Sequence, residues 1–135
     1  MKLDDFVVVS GLPGVYRMAA NRSNGLIVED PMTGKRRFAP ARRHQFTPLE
    51  TVSIYTDDGD SAPLTDVFRS MRDKSADHPP VNPNVPAEEL YAHFAEVLPT
   101  YDRDQVHASD IKKVIKWYTF LHEGGLLEDH ADEEE

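Results

Sequence analysis

The sequence predicts an α+β protein: an N-terminal five-stranded antiparallel SH3-like small barrel with a capping helix, followed by a C-terminal two-helix module. Three observations predict it. Five short β-type runs, each ended by turn chemistry, fill the first 56 or so positions with no helical period between them. One amphipathic stripe follows at once, at Leu64, Val67, Phe68 and Met71. Beyond a stretch holding four of the ten prolines, two further helical patterns complete the chain.

The β half reads in order. Residues 6–10 are a β-branched run, as expected of a strand buried on both faces. Pro13-Gly14 supplies the two central positions of a type II turn. A second strand covers 15–20, and Asn24-Gly25 offers the left-handed positions of a hairpin before a third strand at 26–29. Asp30 to Gly34 is another turn, 35–39 a fourth strand ended by Pro40, and a polar stretch over 41–48 leads to a fifth strand at 52–56. Without intervening helices these strands must be antiparallel. Closure into a barrel removes sticky edges, with an OB-like barrel as the second choice.

In the helical half, Pro63 suits a first helical turn, and the stripe that follows would cap the open end of the barrel. Residues 74–86, with Pro79, Pro80, Pro83 and Pro86, read as a stiff linker. A helix over 87–98 carries Glu88 and Glu89 in its first turn and stops at Pro99. A last helix begins after Ser109 as its N-cap and ends at Gly124-Gly125. Ile111, Val114, Ile115, Tyr118 and Leu121 line one face of it, and Trp117 and Phe120 an adjoining one. Two apolar stripes require cover on more than one side. The expected organisation is 1–73 barrel and capping helix, 74–86 linker, 87–127 helical module and 128–135 acidic tail.

Composition narrows the function. There is no cysteine, which excludes disulfides, thiolate metal sites and a cysteine nucleophile and suits a reducing cytoplasm. The first residues carry no apolar signal segment, and no apolar run approaches the ~20 residues a membrane span needs. The expectation is a cytoplasmic protein with no membrane association. The net charge of −9 is uneven: +3 through Thr56 and −12 from Asp57 onward. Two surfaces with different partners are implied.

The one strongly cationic stretch is 34–44. Lys35, Arg37, Arg42, Arg43 and His44, joined by Arg22, are the candidate polyanion-binding residues, since guanidinium forks match phosphate oxygens. Strand alternation sets Lys35 and Arg37 on one face and Arg36 and Phe38 on the other. The competing reading is an edge strand protected by charge, or internal pairing with the acidic half. Tyr16 and Tyr55 are the nearby aromatic residues and read as core. A second candidate surface, for protein, is Trp117, Phe120, Lys113 and Lys116 on the last helix; a solvated face competes with it.

Other motifs fail on their own chemistry. Gly11-Leu12-Pro13-Gly14 joins strands rather than helices and lacks the cations of a nucleic-acid clamp, and no Gly-Lys-Ser/Thr follows it. Acidic loops at Asp57 and Asp102 reach Phe68 and Lys113 at the twelfth position, where a calcium loop needs Glu. The six histidines show no metal-ligand spacing. No catalytic residue, metal or cofactor is therefore expected. The leading functional reading is a non-enzymatic binding module that contacts RNA or a nucleoprotein assembly through the basic strand and loop. The alternative is a protein–protein adaptor or homodimer built on the last helix.

Met1-Lys2-Leu3 through Val9-Ser10-Gly11, Pro13-Gly14, Leu49 with Ile54-Tyr55-Thr56, and Val97-Leu98-Pro99 with Tyr101-Asp102 carry a resemblance. Its most specific block is Ser109-Asp110-Ile111-Lys112-Lys113, continuing to Lys116-Trp117-Tyr118. On these residues nearly the whole chain resembles an uncharacterised two-part bacterial family, found chiefly in Bacteroidota and described as a domain of unknown function. The resemblance implies a two-part organisation and a cytoplasmic bacterial setting. It implies no activity and brings no catalytic residues.

Overall fold

The computed structural model describes residues 3–127; the expected acidic tail at 128–135 lies outside them. The strands are β1 (Phe6–Val9), β2 (Tyr16–Arg22), β3 (Gly25–Glu29), β4 (Arg36–Pro40), β5 (Phe46–Pro48), β6 (Ser53–Tyr55) and β7 (Ser61–Pro63). A 3-10 turn, Leu49–Thr51, separates β5 from β6. The helices are α1 (Leu64–Asp73), α2 (Ala87–Val97) and α3 (Ala108–Glu123).

Five strands form one antiparallel sheet in the order β4-β3-β2-β1-β5, and β6 and β7 form a separate hairpin. Two expectations are corrected here. The fifth strand of the sheet is Phe46–Pro48, inside the stretch read as polar, and the segment near 52–56 pairs with β7 instead. Phe46 and Pro48 sit opposite Val9 and Val7, so alternate residues of a three-residue strand meet the apolar side of β1. The sheet is also not closed: β4 and β5 lie at its two ends with no ladder between them. Both edges are short, and Pro40 and Pro48 end them, which limits pairing with foreign strands.

The turns follow local chemistry. Gly14 has φ +77°, as the Pro13-Gly14 turn requires. Asp30 accepts hydrogen bonds from the backbone N–H of Met32 and Thr33, at 2.8 and 3.2 Å, and closes the β3–β4 turn. The β2–β3 hairpin differs from expectation. Arg22 pairs with Gly25, so the loop is Ser23-Asn24, and Asn24 has no positive φ. Gly25 is needed for space. A Cβ there would lie 2.3 Å from the Ala39 carbonyl oxygen and 2.9 Å from the Phe38 ring.

At β1 the sheet buries both faces. Val7, Val9, Val28 and Ala39 form a small cluster on one side, with Tyr16, Met18, Leu26 and Phe46 packed on it. On the other side Phe6, with Leu3 and Val15, joins the main core with Leu49, Ile54 and all three helices. The α1 stripe is buried as its spacing predicts, but against the helices as well as the sheet: Phe68 meets Tyr118 edge-on at 5.7 Å. Ser70 donates to the Val97 carbonyl at 2.6 Å and joins α1 to α2. Val81 and Val85 lay the proline-rich segment on the same core.

His107, not Ser109, is the N-cap of α3, and the Asp110 carboxylate accepts from the His107 backbone N–H at 3.1 Å. The far end closes as the Gly-Gly pair predicts. Gly125 has φ +70°, its N–H reaches the His122 carbonyl at 3.0 Å, and Leu126 N–H reaches that of Leu121 at 2.9 Å.

Candidate functional site

The basic stretch is displayed on the sheet edge, and β4 alternates as its sequence predicts. Arg36 stands opposite Glu29 and its Nε donates to Glu29 Oε1 at 2.9 Å, so this cation is occupied. Phe38, opposite Ile27 on the same side, is 41% exposed. Arg37 shares its side with buried Ala39 and lies opposite buried Val28, which keeps its head in water and its stem over the small core.

After Pro40 the chain turns back. Ala41 N–H reaches the Asn24 carbonyl at 2.9 Å, and Arg43 and His44 N–H both reach the Pro40 carbonyl. This puts the turn carrying Arg42 and Arg43 against the hairpin that carries Arg22. His44 is tied elsewhere: its Nδ1 lies 2.7 Å from the Ser10 carbonyl oxygen, so that nitrogen carries the proton and donates. Arg22 donates to the neighbouring Asn21 carbonyl at 3.1 Å. Lys35, Arg37, Arg42 and Arg43 are exposed, and among the described residues their side chains make no hydrogen bond or ion pair. The expected set is thus divided. Arg22, Arg42 and Arg43 gather at one end of β4, with His44 alongside but engaged, while Lys35 precedes the other end.

On α3, Phe120 is half-buried and its ring packs on Gly14, where an added Cβ would lie 2.6 Å from Cε2. Trp117 is half-buried and, with Lys113, lines a cleft of about 280 Å³ between α3 and β6. Val52, Ile54, Val106 and Val114 supply its apolar walls. Lys116 is exposed one turn along. Tyr55, read from the sequence as core, is 55% exposed at the cleft mouth. No motif could have found this cleft, because its walls come from three separate segments.

The acidic loops are turn builders. Thr56 Oγ1 donates to Asp58 at 2.6 Å, and this hydroxyl is the main cause that holds the Asp58 carboxyl below its ordinary range. Asp102 is held down in the same direction, first by the Gln105 side chain at 3.0 Å. A second cleft, beside α2, is lined by Asp77, His78, Glu89, His93 and Glu96. Among the described residues no three His, Asp or Glu side chains form a group that could hold a metal ion. Nor is any described helix long and apolar enough to cross a membrane.

Comparison with known proteins divides the chain where the sheet gives way to the β6–β7 hairpin. Residues 52–121 match the family described as "Domain of unknown function (DUF6852)", and residues 3–49 match "Domain of unknown function (DUF5606)". No curated protein matches. A solution NMR structure of a protein from Bacteroides vulgatus is similar, with 37% identity over 94% of this chain and 90% of that one, at a TM-score of 0.75. The chain therefore belongs to the uncharacterised family of the DUF6852 domain, in the two-part form in which a DUF5606 domain precedes it.

Proposed function

We propose that the protein is a non-enzymatic, cytoplasmic binding module whose basic edge contacts the phosphate backbone of RNA within a nucleoprotein assembly. The observation that carries this reading is that Lys35, Arg37, Arg42 and Arg43 stand exposed with no carboxylate partner among the described residues, although the chain carries a net charge of −9. Among the described residues, the cation of the 34–44 stretch that is neutralised internally is Arg36, through Glu29. Free guanidinium groups around one turn suit phosphate oxygens. In the same reading the open five-stranded sheet is an SH3-like barrel left unclosed, its interior filled by Val7, Val9, Val28 and Ala39.

Fluorescence anisotropy with labelled single-stranded RNA and DNA tests this. Binding at low salt should weaken steeply as salt rises, because each neutralised phosphate releases a counterion. Absence of any affinity at low salt rejects the reading.

The second reading, a protein–protein adaptor or homodimer built on α3, is favoured by the half-buried Trp117 and by Lys113, which has no ion-pair partner among the described residues, at an open cleft. Light scattering on the parent chain and on Trp117→Ala tests the homodimer.

A further inference from the structure

Resting on the adaptor reading of α3, we propose that the cleft between α3 and β6 binds an extended peptide segment of a partner protein, carrying one bulky apolar residue with an acidic residue two positions away.

The backbone of β6 supports a strand as the occupant. In the β6–β7 ladder Ile54 pairs with Ala62, Leu64 N–H reaches the Val52 carbonyl and Thr56 N–H reaches that of Asp60. The even-numbered residues therefore spend their backbone groups on β7, and those of Ser53 and Tyr55 point to the opposite edge. There the Tyr55 carbonyl accepts from Asp102 N–H at 2.9 Å, beside the Thr56–Tyr101 bridge. Ser53 N–H, Ser53 carbonyl and Tyr55 N–H have no protein partner among the described residues. Both residues line the cleft. The edge is thus started by Asp102 and left open beside a pocket, the arrangement that strand addition uses.

Charge complementarity gives the acidic residue. Lys113 and Asp110 are the charged side chains in the lining; Asp110 accepts from the His107 N–H, and among the described residues Lys113 makes no ion pair. Lys116 is exposed one turn farther along α3. On an added strand, alternate side chains share a face, so an apolar side chain directed at Trp117 brings the acid two residues away to the same side.

The test uses Trp117, the single tryptophan of the chain, as reporter. The probes are acetylated, amidated Glu-Thr-Leu-Thr-Glu and Lys-Thr-Leu-Thr-Lys on the full chain. The acidic peptide should shift Trp117 emission saturably, and the lysine peptide should bind about tenfold more weakly or less. Lys113→Glu should invert that preference. Of two N-methylated acidic peptides, one blocked at each alternate set of amides, one should lose binding and the other keep it. No emission change with either peptide, the near-ultraviolet spectrum confirming a folded chain, overturns the proposal. So does equal binding of both peptides, or retention of binding by both N-methylated forms. A dilution-dependent emission of the free chain would put a second copy in the cleft and equally overturn it. Light scattering on Trp117→Ala bears on the homodimer instead, so failure of the peptide and failure of the adaptor reading remain distinguishable.

Discussion

The ring of Phe120 lies directly on the bare α-carbon of Gly14, joining the last helix to the first turn of the sheet. Gly14 has φ +77° and an added Cβ would fall 2.6 Å from Phe120 Cε2, so the position excludes a side chain on two counts. Gly14→Ala should cost about 1–3 kcal/mol, from left-handed strain and overpacking. Phe120→Ala should cost about 2 kcal/mol, less than a fully buried ring. In the double variant the clash is gone, so chemical denaturation should return a sum smaller than the two single losses.

Tyr118 gives a sharper test of packing. Its ring is enclosed by Phe68 on one side and stacks on His122 at 5.5 Å on the other. Its hydroxyl is buried with no hydrogen-bond partner among the described residues, and burial raises its pKa. An unmade bond on a buried donor costs about 1–3 kcal/mol. Tyr118→Phe should therefore leave the urea midpoint unchanged or raise it, whereas Tyr118→Ala should lower stability by about 3–5 kcal/mol.

Much of this fold was legible because its elements carry their own local chemistry. The α1 stripe, the first-turn acids of α2 and the glycine pair after α3 each specify structure within a few residues. The failures share a cause. Phe46-Thr47-Pro48 is a strand only because β1 lies beside it, and Ser61-Ala62-Pro63 only because β6 does. Ser-Ala-Pro has no β propensity of its own, and Phe-Thr, though strand-favouring, is too short a run before Pro48 to announce a strand. Ser109 has the residue type of an N-cap, yet Asp110 starts the helix two residues earlier by capturing the His107 N–H.

The candidate sites divide in the same way. Alternation along β4 correctly separated Arg37 from Arg36, since it depends only on the strand period. Whether each cation was free depended on Glu29, seven positions away on β3. The exposure of Tyr55 depended on α3 and on the Asp102 loop, which leave the cleft open beside it.

That difference between neighbours makes a prediction for the basic edge. Arg42→Ala and Arg43→Ala should each weaken RNA binding uniformly across sequences and reduce the salt slope by about 1. Neither should change the unfolding free energy by more than the ~0.5 kcal/mol typical of surface substitutions. Arg36→Ala should change the slope little, because Glu29 already neutralises that charge. Equal effects from all three would show that the turn beside Arg22 has no special part.

Acid should weaken the fold through His93 in a window of its own. His93 is 7% exposed on α2, and its Nε2 has no hydrogen-bond partner among the described residues. Burial, and secondarily the nearby charge of His78, hold its pKa below the ordinary 6.5. Asp77, Glu89 and Glu96 also line this cleft, and His78 lies 3.5 Å from Glu96. A depressed folded value means that the unfolded chain takes up the proton more readily, so stability rises with pH between the two values. The contribution is complete above about pH 6.5 and is lost as pH falls through the folded value. Asp58 and Asp102, also depressed, follow the same sign but from an ordinary value of 3.8, so their loss comes only in stronger acid. Urea midpoints should therefore begin to fall as pH drops through about 6.5 and fall again below about pH 4. His93→Gln, which cannot titrate, should flatten the first decline and leave the second; a first decline unchanged in that variant would remove His93 as its source.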